Sequence, residues 1–106
     1  MYRQGDVLLV PIDPAQLPAH PALQARDGAG RLVLAHGEAT GHAHAVIEPT
    51  AELLTDPDEV ERRFLVLATQ ALLTHEEHAP LPLPAGAYQV VRQREYTATA
   101  DRDVAD

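Results

Sequence analysis

With 106 residues and a mass of 11.5 kDa, the chain is sized for one domain around a single modest core. An apolar fraction of 45% argues against disorder, and the absence of cysteine excludes disulfides and thiolate metal sites. A net charge of −8 repels phosphate backbones, and Arg92-Gln93-Arg94 is too short a basic run to reverse the sign, so no nucleic-acid partner is expected.

No apolar stretch approaches the ~20 residues of a spanning helix, and Met1–Asp6 lacks the apolar run of a signal peptide. A cytoplasmic protein with no membrane partner is the expectation. Aromatic side chains are limited to Phe64, Tyr2, Tyr88 and Tyr96, so the core must be aliphatic. Small aliphatic cores gain stability from oligomerisation or a bound metal, and a homodimer is expected on that ground.

In chain order, Gly5-Asp6 opens Val7–Ile12, a run of strand formers that reads as a buried strand. Residues 13–30 carry three prolines and two glycines and read as a long loop, either a surface excursion or a lid over a site. Arg31–His36 is a second strand candidate, and the segment between Gly37 and Gly41 a turn into a third strand, His42–Ile47. Ala51–Thr55 reads as a fourth.

Asp56-Pro57-Asp58-Glu59 has the pattern of a helix start, with an acceptor at the cap and proline next. Val60, Phe64, Leu67 and Ala71 fall at helical spacing, yet 63–68 and 71–74 also read as strands. A single helical turn at 57–61 followed by two strands is preferred, because the rest of the chain is strand-like. Leu81–Gly86 must run extended and then turn, and Ala87–Arg92 is a strand that could continue to Thr97. Residues 98–106 read as a tail. Many short strands with turns between them predict an all-β, mainly antiparallel domain over 1–106, a small barrel or sandwich.

Two histidine clusters carry the chemistry. His42-Ala43-His44 is followed by Glu48, and His75-Glu76-Glu77-His78 lies about thirty residues further on. Neutral imidazole is the commonest protein ligand for transition metals. On a strand His42 and His44 share a face, and Glu48 returns to it if the strand stays regular. His75 and His78, three apart, share a face only if the chain bends before Pro80. Glu76 and Glu77 could hold an imidazole tautomer or be solvated charges. His20 reads as exposed. His36 would face the site only if its strand neighbours His42–Ile47. Arg92, Arg94 and Glu95 could meet an anion or form a charged face. Thr40 and Thr74 neighbour histidines, but without serine or cysteine nucleophilic catalysis has thin support.

The stretch Gly37–Glu48, with His42-x-His44-x3-Glu48, resembles the first metal-binding motif of the cupin superfamily, and Pro84-x-Gly86 resembles the turn of its second motif. This resemblance implies a small β-barrel holding a divalent metal through two histidines, a glutamate and a further histidine. The further histidine would fall at Gln89, and the asparagine that follows it at Gln93, so both positions depart from the family. His75 or His78 is the candidate replacement. The strings Gly37–His42 and His75–Pro80 are also similar to those of small uncharacterised bacterial proteins.

The resulting expectation is a β domain that binds one divalent transition metal (Fe, Mn, Ni, Co or Zn) through His42, His44, and His75 or His78, with Glu48 as a further ligand. If it is an enzyme, its substrate is a small molecule. One alternative is a non-enzymatic assembly module with exposed histidines. Another is metal-free acid/base chemistry by His36 or His42 paired with Glu48 or Glu77.

Overall fold

A computed structural model describes residues 1–37 and 41–93. Ten strands run in chain order: β1 Tyr2–Gln4, β2 Val7–Ile12, β3 Ala22–Leu23, β4 Leu32–His36, β5 Ala43–Val46, β6 Glu52–Asp56, β7 Glu59–Leu67, β8 Ala71–Thr74, β9 Leu81–Leu83 and β10 Gly86–Arg92. They form two antiparallel sheets, one ordered β1-β2-β10-β7-β6-β3 and the other β4-β5-β8-β9. The fold is all-β. Each sheet keeps its own edges, so the architecture is two packed sheets and not a closed barrel.

Alternation along the strands decides what lies between the sheets. Val7 and Leu9, Leu53, Leu65 and Leu67, and Tyr88 and Val90 come from the larger sheet. Leu32, Leu34, Val46, Leu73 and Leu83 come from the smaller one. The core is aliphatic apart from Tyr88, whose ring meets Tyr2 edge-on with centroids 5.8 Å apart. Val7–Ile12 is buried on one face only, since it lies beside the short edge strand β1 with its outer side partly open.

The helical turn expected at 57–61 is absent. Pro57-Asp58 is instead the two-residue turn of the β6–β7 hairpin. The Asp56 carboxylate accepts the Asp58 N–H at 2.9 Å and the Arg62 guanidinium at 3.1 Å, so the side chain that looked like a helix cap stabilises a hairpin turn. The helical spacing of Val60, Phe64 and Leu67 loses to strand pairing on both sides of β7, with β6 and with β10. Leu65 and Leu67 then face the core, while Phe64 lies on the opposite face of β7, buried beside Leu54 with the Arg62 guanidinium 5.3 Å from its ring centroid.

The proline-rich 13–30 segment is only partly loop. It makes a 3-10 turn at Pro14–Gln16 and then lays β3 along β6, extending the larger sheet. Arg26 pins its far end by donating to the carbonyls of Gly30, Ile47, Glu48, Pro49 and Ala51. This segment therefore braces the sheet edge. The proposed continuation to Thr97, the 98–106 tail and the turn residues 38–40 lie outside the described residues.

Candidate metal centre

One end of the sandwich gathers the β1–β2 turn, the C-terminal ends of β4, β8 and β10, and the N-terminal end of β5. His44 follows from the alternation of β5: it shares a face with core residue Val46 and is only 2% exposed. His42 precedes the same strand by one step and turns its ring to the same end. His75 continues the inward face of Leu73, and the chain bends at 76–78, which brings His78 back beside it.

The four rings form one cluster. Centroids lie 4.3 Å apart for His44 and His75, 4.7 Å for His75 and His78, 5.6 Å for His42 and His75, and 5.9 Å for His44 and His78. One ligand atom each from His42, His75 and Glu76 lie within 4.8 Å of one another. Donors to one ion with bonds of roughly 2.0–2.1 Å sit about 4 Å apart at most, so these atoms lie within about 1 Å of a closed ligand set.

Two glycines make room for the rings. A Cβ on Gly37 would stand 2.9 Å from both His75 Nε2 and His42 Cβ. A Cβ on Gly5 would stand 2.9 Å from His78 Nε2 and 3.2 Å from His44 Cε1. Gly5 also has φ +59°, a conformation that other residues rarely adopt.

Hydrogen bonds set the tautomer of His44. Gln4 is buried, and its amide Nε2 donates to the carbonyls of Leu73 and Ala79, both at 2.9 Å. That fixes the amide orientation, leaving Oε1 as an acceptor 2.8 Å from His44 Nδ1. His44 must then carry its proton on Nδ1 and present a lone pair at Nε2, which lies 3.6 Å from Asp6 Oδ1. Burial, reinforced by His75, pushes the His44 pKa from 6.5 down to about 4 against the opposing pull of Asp6, so the ring is neutral.

The carboxylates divide by role. Glu76 Oε1 accepts the Ala43 N–H at 2.9 Å, the main reason its pKa falls below the ordinary glutamate value. Glu77 Oε2 lies 3.5 Å from His42 Nδ1, while the Glu77 N–H donates to His75 Nδ1 at 3.0 Å. Asp6 also accepts from Arg92 Nε at 2.8 Å.

Residues 3–93 match the family model described as Domain of unknown function (DUF8820). The chain belongs to this family. No curated protein matches it, and neither does any solved structure.

In this DUF8820 domain the structure does not bring Glu48 to the imidazoles. Glu48 lies four residues beyond His44, about 13 Å along an extended chain, and its carboxylate accepts the N–H and hydroxyl of Thr50. Those contacts lower its pKa, the backbone N–H foremost. Glu76 occupies the carboxylate position of the cluster instead. The cupin-like spacing had pointed to Glu48, but β5 ends at Val46 and the chain turns away. Gln89, at the position of the further cupin histidine, pairs with Val10 and Phe64 on the outward face of β10.

His36 stands apart from the four rings. A bulge between Val33 and Ala35 shifts the register of β4, so Ala35 pairs with His44 and faces inward. His36 is therefore turned outward and exposed. His20 is exposed as well. Gln4, Gly5 and Asp6 had no signal of their own in the sequence as parts of a site, and Glu76 reads there as a partner for an imidazole N–H or a solvated charge, not as a ligand. Gln4 and Asp6 are polar residues flanking the glycine of a tight turn, and only the fold shows what that turn covers.

Proposed function

We propose that this domain binds one divalent transition metal at the sandwich end, with His42, His75 and Glu76 as the core of the ligand set and His44 and His78 completing it. The observation that carries this reading is the convergence of four imidazoles from two distant segments, one of them held neutral with its lone pair on Nε2. The mixed N/O donor set suits Fe, Mn, Co, Ni or Zn better than calcium or magnesium, which prefer all-oxygen shells. The missing Cβ atoms at Gly5 and Gly37 leave the imidazoles space that any other residue would fill.

A bound metal would supply Lewis acidity or hold a water near neutral pH. The chain's own part is to keep His44 in one tautomer through Gln4, to hold Glu76 ionised through the Ala43 N–H, and to aim Glu77 at His42. Because the Glu77 N–H faces His75 Nδ1, the neutral ring carries its proton on Nε2. Binding a metal at that nitrogen would require the proton to move to Nδ1 and the Glu77 N–H to give up its contact.

Elemental analysis of protein purified without a metal-affinity tag, then reconstituted with each of the five metals, tests the proposal. One equivalent is expected for the preferred ion, and His42→Ala/His75→Ala should abolish it. A stoichiometry near zero for all five would overturn the reading.

A further inference from the structure

We propose that a cleft beside the imidazole cluster, between the edge strand β4 and the β7–β10 part of the larger sheet, binds a small organic carboxylate. The cleft encloses about 890 Å³, and Arg63 and Arg92 both line it. Its lining also includes Leu34, Val60 and Val90, with Glu61 beside them.

Arg63 is the unusual residue. It pairs in register with core residue Val90 and lies two positions before core residue Leu65, so its side chain starts on the inward face of β7. A guanidinium there is costly unless its donors and charge are satisfied. Of its five N–H groups, one donates to Gln24 Oε1 at 3.1 Å and another to the carbonyl of Leu34 at the β4 bulge. Both acceptors are neutral, and no carboxylate of the described residues lies within ion-pair distance. Burial lowers the Arg63 pKa, and the like charge of Arg92 lowers it further.

Arg92 stands at the cleft mouth with Nε on Asp6 and Nη2 on the His36 carbonyl, both at 2.8 Å. Two guanidinium groups facing one cleft, one lacking a counter-charge, fit a planar carboxylate that can accept paired N–H bonds. The apolar lining of Leu34, Val60 and Val90 fits a short apolar body attached to it. Glu61 disfavours a multiply charged anion, which points to a monocarboxylate in preference to phosphate. The site uses none of the four imidazoles, so it stands or falls separately from the metal reading.

Calorimetric titration of resin-demetallated full-length protein with benzoate, and in parallel with inorganic phosphate, tests the assignment. Saturable one-to-one benzoate binding is expected, weakened about tenfold or more by Arg63→Gln, the loss of one charge-assisted contact. Should that variant misfold, Val60→Glu provides the same test from an exposed position of the cleft wall and should also weaken binding. His78→Ala should bind benzoate as the parent does. The proposal is overturned by no saturable benzoate binding, by tighter binding of phosphate, by full affinity in folded Arg63→Gln or Val60→Glu, or by loss of binding in His78→Ala.

Discussion

Gln4 acts at the scale of one side chain on everything around His44. It satisfies two backbone carbonyls and accepts from one imidazole, so Gln4→Ala leaves Leu73 O, Ala79 O and His44 Nδ1 without their partner. A stability loss of about 2–4 kcal/mol is expected by urea denaturation, from orphaned buried groups. Metal affinity should fall about 10–100-fold with it, because the ring loses its orienting acceptor. The two glycines predict a contrast. Gly37→Ala sets a methyl against the Cβ of His42, which cannot swing away, and should impair metal binding more than its ordinary backbone would suggest. Gly5→Ala meets the movable tip of His78 and stands 3.2 Å from the His44 ring, so it should add backbone strain of about 1 kcal/mol and weaken metal binding less than Gly37→Ala.

His44 also couples stability to pH in the metal-free protein. Its folded pKa of about 4 lies below the unfolded 6.5, so the unfolded chain binds the extra proton first. The contribution is intact above pH 6.5 and is lost progressively as pH falls to about 4, on the order of 3 kcal/mol in total. Chemical denaturation at pH 7 and pH 5 should show the decline, and His44→Gln should flatten it.

At the scale of elements, the 13–30 segment depends on Arg26. Five carbonyls share one guanidinium, a geometry that the point charge of lysine cannot reproduce. Arg26→Lys should therefore speed proteolysis within 13–30 while leaving metal stoichiometry unchanged. A limited-digestion time course checks both the position and the rate. The β6–β7 hairpin shows why one segment was misread. Asp56-Pro57 satisfies the local rules for a helix start, and the same two residues satisfy those for a tight turn. Pairing with β6 and β10 decides between them, and no local pattern contains that information. The strands at 7–12, 32–36, 52–56, 71–74 and 86–92 were legible because short apolar, β-branched runs bounded by Gly, Pro and Asp leave few other options.

Across the whole molecule, six of the eight cationic residues lie in the described part, and every cation of the chain is arginine. Most of those arginines are committed to turns and carbonyls, which makes the position of Arg63 stand out. A metal held by segments of both halves of the chain should also raise the melting temperature. Binding at 100 times the dissociation constant adds about 2.7 kcal/mol, so the shift should grow with the concentration of free metal. A thermal scan across a metal series measures it. No helix of the described residues is long and apolar enough to cross a membrane.

The amino-acid pattern alone determined that the chain is a β domain with an aliphatic core and two histidine pairs on separate segments, because composition and two-residue alternation are local properties. Folding decided what those pairs meet. The bend at 76–78 brings His78 to His75, the end of β5 at Val46 takes Glu48 away, and the bulge in β4 turns His36 outward. Each depends on which strand lies alongside, a long-range contact that spacing along the chain does not encode.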